Sequence, residues 1–139
     1  MKKQSCGMLI KQLHTTLEKN ANQELKPYGL TIAQVSMLLE IRENPKGRIS
    51  LKQLEKRLHL AQSTTAGLAC RLEQKGMIAY EEDPQDRRVK YIALTESGKA
   101  CCEAMEGKMD EEEDRLLSGL TETEKEIFLT LLNKVAQSL

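Results

Sequence analysis

The stretch Asp83-Pro84-Gln85-Asp86-Arg87-Arg88 lies between two short strand-like runs, residues 77–81 and 89–94. Asp and Pro are typical of tight turns, and such runs on either side of a turn predict a β-hairpin. The tip of this hairpin would carry two arginines outward, in reach of phosphate or a narrow groove. Because the hairpin follows two short helical segments joined by a tight connection, the order of elements predicts a helix-turn-helix followed by a wing.

The composition favours one small, mainly helical domain. The chain has 139 residues, of which 40% are hydrophobic and 30% charged, and this length suits one globular domain. With no Trp, one Phe and three Tyr, the core must be built from Leu, Ile, Val, Met and Ala, which favours helices over a large sheet. We therefore expect a mainly α fold in a single domain over residues 1–139. The helix signals along the chain predict six helices in it, and the turn at residues 83–88 predicts a small β-hairpin wing.

No stretch predicts a membrane span or a secretory signal. No hydrophobic run approaches the roughly 20 residues that a bilayer span requires. The start Met1-Lys2-Lys3-Gln4-Ser5 leads into amphipathic sequence instead of an apolar signal core. The sequence therefore predicts a cytoplasmic protein that has no membrane partner.

The net charge of zero hides an uneven distribution of charge along the chain. Residues 46–100 hold 11 basic and 7 acidic side chains, whereas residues 101–139 hold 4 basic and 10 acidic ones. A positive middle and a negative C-terminal part predict one surface for a polyanion and another that is held away from it.

Capping chemistry marks where three helices begin. In a capping box, a Ser or Thr hydroxyl and the side chain three positions later each satisfy a free backbone amide. The pairs that fit this pattern are Thr31 with Gln34, Ser50 with Gln53 and Thr121 with Glu124. Together with apolar spacing and the positions of Pro and Gly, they predict helices over about 6–25, 31–43, 51–58, 63–75, 95–116 and 122–138.

The start of the fourth helix carries side chains suited to DNA recognition. Short polar residues there can approach base edges, and the free amides of a helix N-terminus favour phosphate. Gln can bond adenine through two hydrogen bonds, and Ser or Thr can bond bases or phosphates. The predicted major-groove readers are Gln62, Ser63, Thr64 and Thr65. A capping role for Ser63 and Thr64 is the alternative, and it is compatible with DNA contact.

One of the two wing arginines, Arg88 or Arg87, is predicted to enter the minor groove. The potential there is most negative over narrow A·T-rich stretches, and Asp86 can hold the arginine fork in place. Lys90 is predicted to contact phosphate, and Arg71 on the fourth helix completes the predicted DNA-binding set. The alternative is a solvated charged turn, but the helix pair upstream favours DNA binding.

The helices at the two ends of the chain carry apolar stripes that one small lobe would not cover. Leu9, Leu13, Leu17 and Leu25 share a stripe on the first helix, and the last helix has a stripe over residues 127–135. We expect residues 30–98 to form the DNA-binding lobe, and residues 1–29 and 99–139 to join two copies as a homodimer. The alternative is that these helices pack on the lobe of their own chain.

Taken in order, the motifs resemble those of the MarR family, winged helix-turn-helix regulators named for multiple antibiotic resistance. The resemblance covers nearly the whole chain and rests on residues 63–76 with Arg71-Leu72-Glu73 before Lys75-Gly76, on residues 83–88, and on Leu94-Thr95-Glu96-Ser97-Gly98. It implies a dimer joined through the terminal helices, and transcriptional control that is most often repression relieved by a small ligand or by thiol oxidation. It also implies that Arg88 is the minor-groove arginine, that Asp86 orders it, and that residues 62–65 read the major groove.

The cysteines and histidines predict no metal and no cofactor. No Cys-x-x-Cys spacing occurs, and neither His lies at a metal-ligand spacing from a Cys. Cys6 is a candidate redox site because the resemblance places a reactive Cys near the start of the first helix, where the helix N-terminus favours the thiolate. The alternative for Cys6 is a small buried hydrophobic residue. His14 lies near the effector cleft that the resemblance implies, although a surface role explains it more simply.

The sequence favours a DNA-binding regulator over two other classes of protein. An enzyme is not expected, because no Ser-His-Asp set, phosphate loop or metal cluster can be assembled, and we predict no catalytic residues. A protein-interaction module that has lost its operator would not need two wing arginines. We therefore predict a homodimeric regulator that binds a pseudo-palindromic operator in double-stranded DNA, as a repressor released by a small-molecule effector. Thiol-based redox sensing through Cys6 is the alternative.

Overall fold

The computed structural model describes residues 4–139, so the first three positions of the predicted domain lie outside it. Six α-helices, a short 3-10 helix and three strands follow one another along the described part of the chain. In order they are α1 Cys6–Leu25, the 3-10 helix Lys26–Tyr28, α2 Ile32–Glu43, β1 Arg48–Ser50, α3 Leu51–Leu58, α4 Gln62–Gln74, β2 Ile78–Glu82, β3 Lys90–Leu94, α5 Glu96–Leu116 and α6 Glu122–Gln137. The predicted winged helix-turn-helix with six helices is confirmed.

The three helix starts predicted from capping boxes are also confirmed. The Thr31 hydroxyl accepts a hydrogen bond from the Gln34 amide at 3.3 Å, and the Gln34 side chain accepts one from the Thr31 amide at 3.2 Å. The N-termini of α3 and α6 show the same reciprocal pair. Each capping box satisfies amides that the first helical turn leaves free, and a cap typically stabilises its helix by about 1 kcal/mol. Local chemistry therefore determines where these three helices begin.

A third strand, which was not predicted from the sequence, joins the predicted wing hairpin. β2 and β1 pair with opposite edges of β3, both antiparallel, in the order β1-β3-β2. Ile49 of β1 lies opposite Ile92 of β3, and both side chains are buried. Because side chains alternate across a strand, Arg48, Ser50 and Tyr91 lie on the other face of the sheet. β1 has three residues, which is too short for an alternating pattern to be recognised in sequence.

Helices α2, α3 and α4 pack together and against the sheet around an aliphatic core. Among the largest fully buried side chains are Leu38, Ile41, Leu54, Leu72 and Ile92. Burying each of these contributes about 1.5–3 kcal/mol, so the core holds α4 and the wing in fixed positions. None of the helices in residues 4–139 has the length and hydrophobicity that a bilayer span requires.

The chain divides into two compact units, one ending at Cys102 and the other comprising Glu103–Leu139. In the first unit α1 contacts α2, yet α1 leaves several large apolar side chains exposed, namely Met8, Leu9, Ile10 and Leu13. In the second unit α6 has no buried residue, and its exposed apolar side chains are Ile127, Phe128, Leu129, Leu131, Leu132 and Val135. The division into a lobe over 30–98 and flanking dimerisation helices stays a prediction.

A compact hydrogen-bond network ties the start of α5 to the chain between α4 and β2. The Thr95 hydroxyl donates to the Gly76 carbonyl at 2.6 Å and accepts from the Gly98 amide at 3.1 Å. The Thr95 amide donates to the Met77 carbonyl at 3.1 Å. Gly98 lies so close to Met77 that an added Cβ atom would overlap the Met77 carbonyl oxygen. The packing at this position therefore requires glycine.

Candidate nucleic-acid interface

The N-terminus of α4 presents polar groups that have no partner within the described chain. The N-cap is Ala61, which supplies no side-chain hydrogen bond, so the helix begins one residue before its predicted start. Gln62, Ser63 and Thr64 are all exposed, and their side chains make no hydrogen bond within residues 4–139. The capping role considered for Ser63 and Thr64 is therefore wrong. These side chains and the uncapped amides of the first turn are free to bind an external partner.

Thr65 does not belong with these exposed readers. Its side chain is fully buried, and its hydroxyl donates to the Ala61 carbonyl at 3.0 Å. Because Thr65 lies on the same helical stripe as Leu68, Ala69 and Leu72, it faces the core. The predicted base contact of Thr65 is therefore corrected to a structural role. The signal in the sequence was the spacing of Thr65 from Leu68, Ala69 and Leu72, because residues at i, i+3, i+4 and i+7 share one face of a helix.

Besides the predicted Ser63, the outward face of α4 contains Gly67, Cys70 and Gln74, which were not predicted as DNA contacts. At 100° per residue, Ser63, Gly67, Cys70 and Gln74 lie opposite the buried stripe. The Gln74 amide lies 3.8 Å from the Cys70 sulfur, and Cys70 is exposed. Gly67 has a negative φ, and an added Cβ atom would meet nothing within 4 Å, so the fold does not require a glycine there. Once the buried residues of α4 are known, the rotation of 100° per residue is enough to identify this face.

Arg71 is exposed on the same helix, toward its C-terminal end. That end is held in place by Lys75, whose ammonium group donates to the Gly29 carbonyl and to the Gln34 side chain. α4 is therefore tied to the start of α2, where Gln34 also completes a capping box. This contact fixes the position of the helix without using its outward face.

Two aspartates build the tip of the wing. The Asp83 carboxylate accepts from the Gln85 amide at 2.9 Å, and the Asp86 carboxylate accepts from the Arg88 amide at 3.1 Å. Both are bonds from a side chain to the backbone two residues later, which is the geometry of an Asx-turn. Backbone bonds from Asp83 to Val89 and from Val89 to Asp86 close the loop. The tip is therefore shaped by local hydrogen bonds over the residues that the sequence marked as a turn.

Asp86 also contacts the side chain of Arg88. The Arg88 Nε lies 3.4 Å from the carboxylate oxygen that accepts the Arg88 amide, and the arginine side chain is 93% exposed. Such an exposed ion pair adds little stability, but it restricts the directions in which the guanidinium can point. Arg87 and Lys90 are exposed as well, and neither forms an ion pair within the described residues.

The predicted effector and redox residues lie apart from α4 and the wing. Cys6 is exposed in the first turn of α1, so the buried alternative for Cys6 is not observed in this chain. His14 is exposed, with its Nε2 atom 3.0 Å from Glu18 one turn later. Cys102 is buried, and burial raises the pKa of the neighbouring Cys101 thiol although Lys75 acts in the opposite direction. Within residues 4–139, no group of three or more His, Cys, Asp or Glu side chains is arranged to hold a metal ion.

Known proteins share this arrangement of recognition helix and wing. The sequence model described as the MarR family matches residues 28–89. YybA, an HTH-type transcriptional regulator of Bacillus subtilis, is 29% identical over 130 residues, which cover 94% of this chain and 85% of YybA. The crystal structure of the Staphylococcus aureus MepR–DNA complex superposes with a TM-score of 0.89 at 29% identity, over 99% of this chain and 100% of MepR. The chain belongs to the MarR family.

A second MarR-family structure also has a similar fold. The reduced form of Escherichia coli MarR superposes with a TM-score of 0.85 at 26% identity, over 97% of this chain and 98% of that one. The family predicted from the motifs is thus confirmed, and with it the class of protein. This MarR-family chain is a DNA-binding transcriptional regulator, and its α4 helix and wing correspond to the winged helix-turn-helix of that family.

Proposed function

We propose that this MarR-family protein acts as a homodimer on a pseudo-palindromic operator and represses transcription until a small-molecule effector binds. The α4 helices of the two copies enter successive major grooves about 34 Å apart, and each wing places Arg88 in the adjacent minor groove. The observation that carries the proposal is the set of exposed, unpaired side chains of Gln62, Ser63 and Thr64 beside a wing whose arginine is oriented by Asp86.

The exposed apolar faces of α1 and α6 support the dimer. Large apolar side chains rarely remain together in water, and a second copy of the same helices would cover both faces symmetrically. Sedimentation at micromolar concentration is expected to give a dimer. Replacing the exposed Leu131 and Val135 of α6 by Glu should shift the protein toward monomers and reduce operator affinity together. The proposed dimer would be contradicted if the wild-type protein sedimented as a monomer and bound its two-fold symmetric operator under the same conditions.

The wing contact is tested by replacing Arg88, after the operator has been recovered by sequencing the DNA fragments that the purified protein retains. Arg88→Ala should weaken operator binding by about 1–3 kcal/mol, which is about 5- to 150-fold in Kd. Arg88→Lys keeps the charge but loses the planar fork, so it should recover only part of the affinity. Lys90→Gln should weaken binding to all duplexes by a similar factor. The slope of log affinity against log salt concentration should become flatter by about 1 for each phosphate that is no longer neutralised. Unchanged affinity of Arg88→Ala at fixed salt would overturn the wing assignment.

The stimulus that releases the protein from DNA distinguishes a small-molecule effector from oxidation of a cysteine. Cys6 is exposed in the first turn of α1, so its thiol is accessible to oxidants, and thiol oxidation is the second candidate trigger. If Cys6 is the sensor, peroxide should release DNA from wild type but not from Cys6→Ser. Equal release from both proteins would exclude Cys6. A promoter–reporter assay with and without the protein determines whether regulation is repression.

A further inference from the structure

The part of α4 that is proposed to meet base edges carries no charged side chain. The N-terminal residues of a recognition helix are the ones that contact bases. Over residues 62–70, the positions outside the buried stripe are Gln62, Ser63, Thr64, Ala66, Gly67 and Cys70, and we call them the reading face. None of them is Lys, Arg, Asp or Glu. The reading face therefore offers an amide, hydroxyls, a thiol and methyl groups, all of them uncharged donors, acceptors or apolar groups.

The charged residues of α4, Arg71 and Glu73, lie outside the reading face. With a rise of about 1.5 Å and a rotation of about 100° per residue, Arg71 lies about 12 Å along the helix from Ser63 and about 80° around it. Glu73 lies beside the sheet, because burial and the negative charge of Glu73 raise the pKa of Tyr80 on β2. The first two turns of α4 therefore have no cation of their own.

The bases differ in the groups that they present to the major groove. Guanine presents two acceptors, N7 and O6, which pair with the donors of Arg or Lys. Adenine presents the N7 acceptor beside the N6 donor, and this pair matches the amide of Gln. Thymine adds a methyl group, which packs against Ala or the methyl group of Thr. The amide of Gln62 and the methyl groups of Thr64 and Ala66 thus complement A·T pairs, and no cation of the reading face complements guanine.

The arrangement of these side chains leaves room for a close approach to DNA. Residues four apart on a helix are neighbours at about 5–6 Å, so Gln62 lies next to Ala66, and Ser63 lies next to Gly67. Gly67 adds no side chain, and nothing in the structure lies within 4 Å of the place where a Cβ atom would be. The backbone of α4 can therefore come close enough to the floor of the groove for Gln62 to reach a base edge.

We propose that the reading face selects A·T base pairs in the major groove of each operator half-site, with Gln62 bonding adenine N6 and N7 and with Thr64 and Ala66 against thymine methyl groups. This inference rests on the proposed function, because it takes DNA to be the ligand of α4. In the minor groove, A·T and T·A pairs present the same acceptors. The order of A and T along the operator is therefore read by α4, and no guanine is read in the major groove.

The test begins with the full-length protein and a randomised duplex library, from which the retained fragments are sequenced. In the operator so obtained, each adenine of one half-site is replaced in turn by 7-deazaadenine, which lacks the N7 acceptor but still pairs with thymine. At the adenine that Gln62 contacts, the replacement leaves an amide donor unpaired. Wild-type affinity should therefore fall about 5- to 150-fold at that position. Replacing each guanine by 7-deazaguanine should leave the affinity unchanged.

Variants assign this effect to the reading face. Gln62→Ala should not respond to 7-deazaadenine, because the amide that bonds N7 is already absent. Arg88→Ala, which removes the wing contact instead, should respond as wild type does, since N7 lies in the major groove. Gly67→Arg adds a cation to the reading face and should select a guanine in the half-site. Gly67→Ala adds a methyl group without a donor, so it should keep the A·T preference.

Three outcomes would contradict the reading of A·T pairs or the function itself. A guanine whose 7-deaza replacement weakens wild-type binding would overturn the inference and leave the proposed function intact, and loss of that effect in Arg71→Gln would assign the contact to Arg71. An equal response to 7-deazaadenine in wild type and Gln62→Ala, or no response in either, would also overturn it, because an A·T preference would then come from the shape of the duplex. Failure of wild type to retain any duplex would refute the proposed function.

Discussion

Replacing Gly98 by alanine is expected to destabilise the fold, although alanine is the better helix former. The new Cβ atom would overlap the Met77 carbonyl oxygen, and Leu94 and the Met77 carbonyl carbon are also within 3.3 Å of it. To relieve the overlap, α5 and the start of β2 must separate by about an ångström, which breaks the bond from the Thr95 amide to Met77. Overpacking costs about 1–3 kcal/mol and the broken hydrogen bond about 1. The gain in helix propensity offsets about 1 kcal/mol.

The net effect of Gly98→Ala is therefore a destabilisation of about 1–3 kcal/mol, or about 3–10 °C in Tm for a chain of this length. Gly107→Ala is the matched control, because Gly107 lies on the same helix and an added Cβ atom there meets nothing within 4 Å. That variant should gain up to about 1 kcal/mol. Thermal and urea unfolding measure the stability of the two variants. All measurements use one protein concentration, because the Tm of a dimer depends on concentration. Equal changes of Tm in the two variants would refute the close-contact argument.

Three further outcomes are expected. Gly67→Ala should raise stability by up to about 1 kcal/mol yet weaken operator binding, because the methyl group would stand on the outward face of α4; unchanged affinity would show that this face does not approach DNA closely. Operator DNA should slow alkylation of Cys70 in a variant whose other three cysteines are Ser, whereas a reaction that DNA leaves unaffected would place Cys70 outside the interface. The hydrogen bond from the Thr121 backbone lowers the pKa of Glu124 below its ordinary 4.5. The charged Glu124 cap should therefore stabilise α6 fully above about pH 4.5, and this stabilisation should be lost as the pH falls through the lowered pKa. Helix content measured by circular dichroism should decrease over that pH range in wild type, and this decrease should be absent in Glu124→Gln.

Helix starts are predictable where their signals are local. The capping box of Thr31 and Gln34 depends on groups three residues apart, so the sequence contains the whole interaction. The wing tip is equally local, because Asp83 and Asp86 each bond a backbone amide two residues later. The uncapped start of α4 is less predictable, since Ala61 supplies no side-chain hydrogen bond. The sequence therefore predicts the first residue of α4 one position late.

The DNA-facing surface could be predicted only in part. Ser63 and Thr64 lie exposed at the start of α4, but Thr65, the next residue and chemically similar, is fully buried. One step along a helix rotates a side chain by about 100°, so Thr65 falls on the buried stripe of Leu68, Ala69 and Leu72, whereas Thr64 lies outside that stripe. The sequence marks Cys70 only as a thiol, and the structure places it on the outward face of the helix.

By itself, the amino-acid sequence determined the order of the helices, their capped starts, the turn of the wing and the resemblance that family comparison confirmed. Each of these depends on residues close together in the chain. Only the tertiary structure decided that Arg48–Ser50 forms a third strand and that Lys46, Arg48, Lys52 and Lys56, cations from separate elements, line one concavity. Lys46 precedes β1, Lys52 follows it, and Tyr91 comes from β3, so their proximity arises from strand pairing and helix packing. Such long-range contacts leave no spacing in the sequence from which they could be predicted.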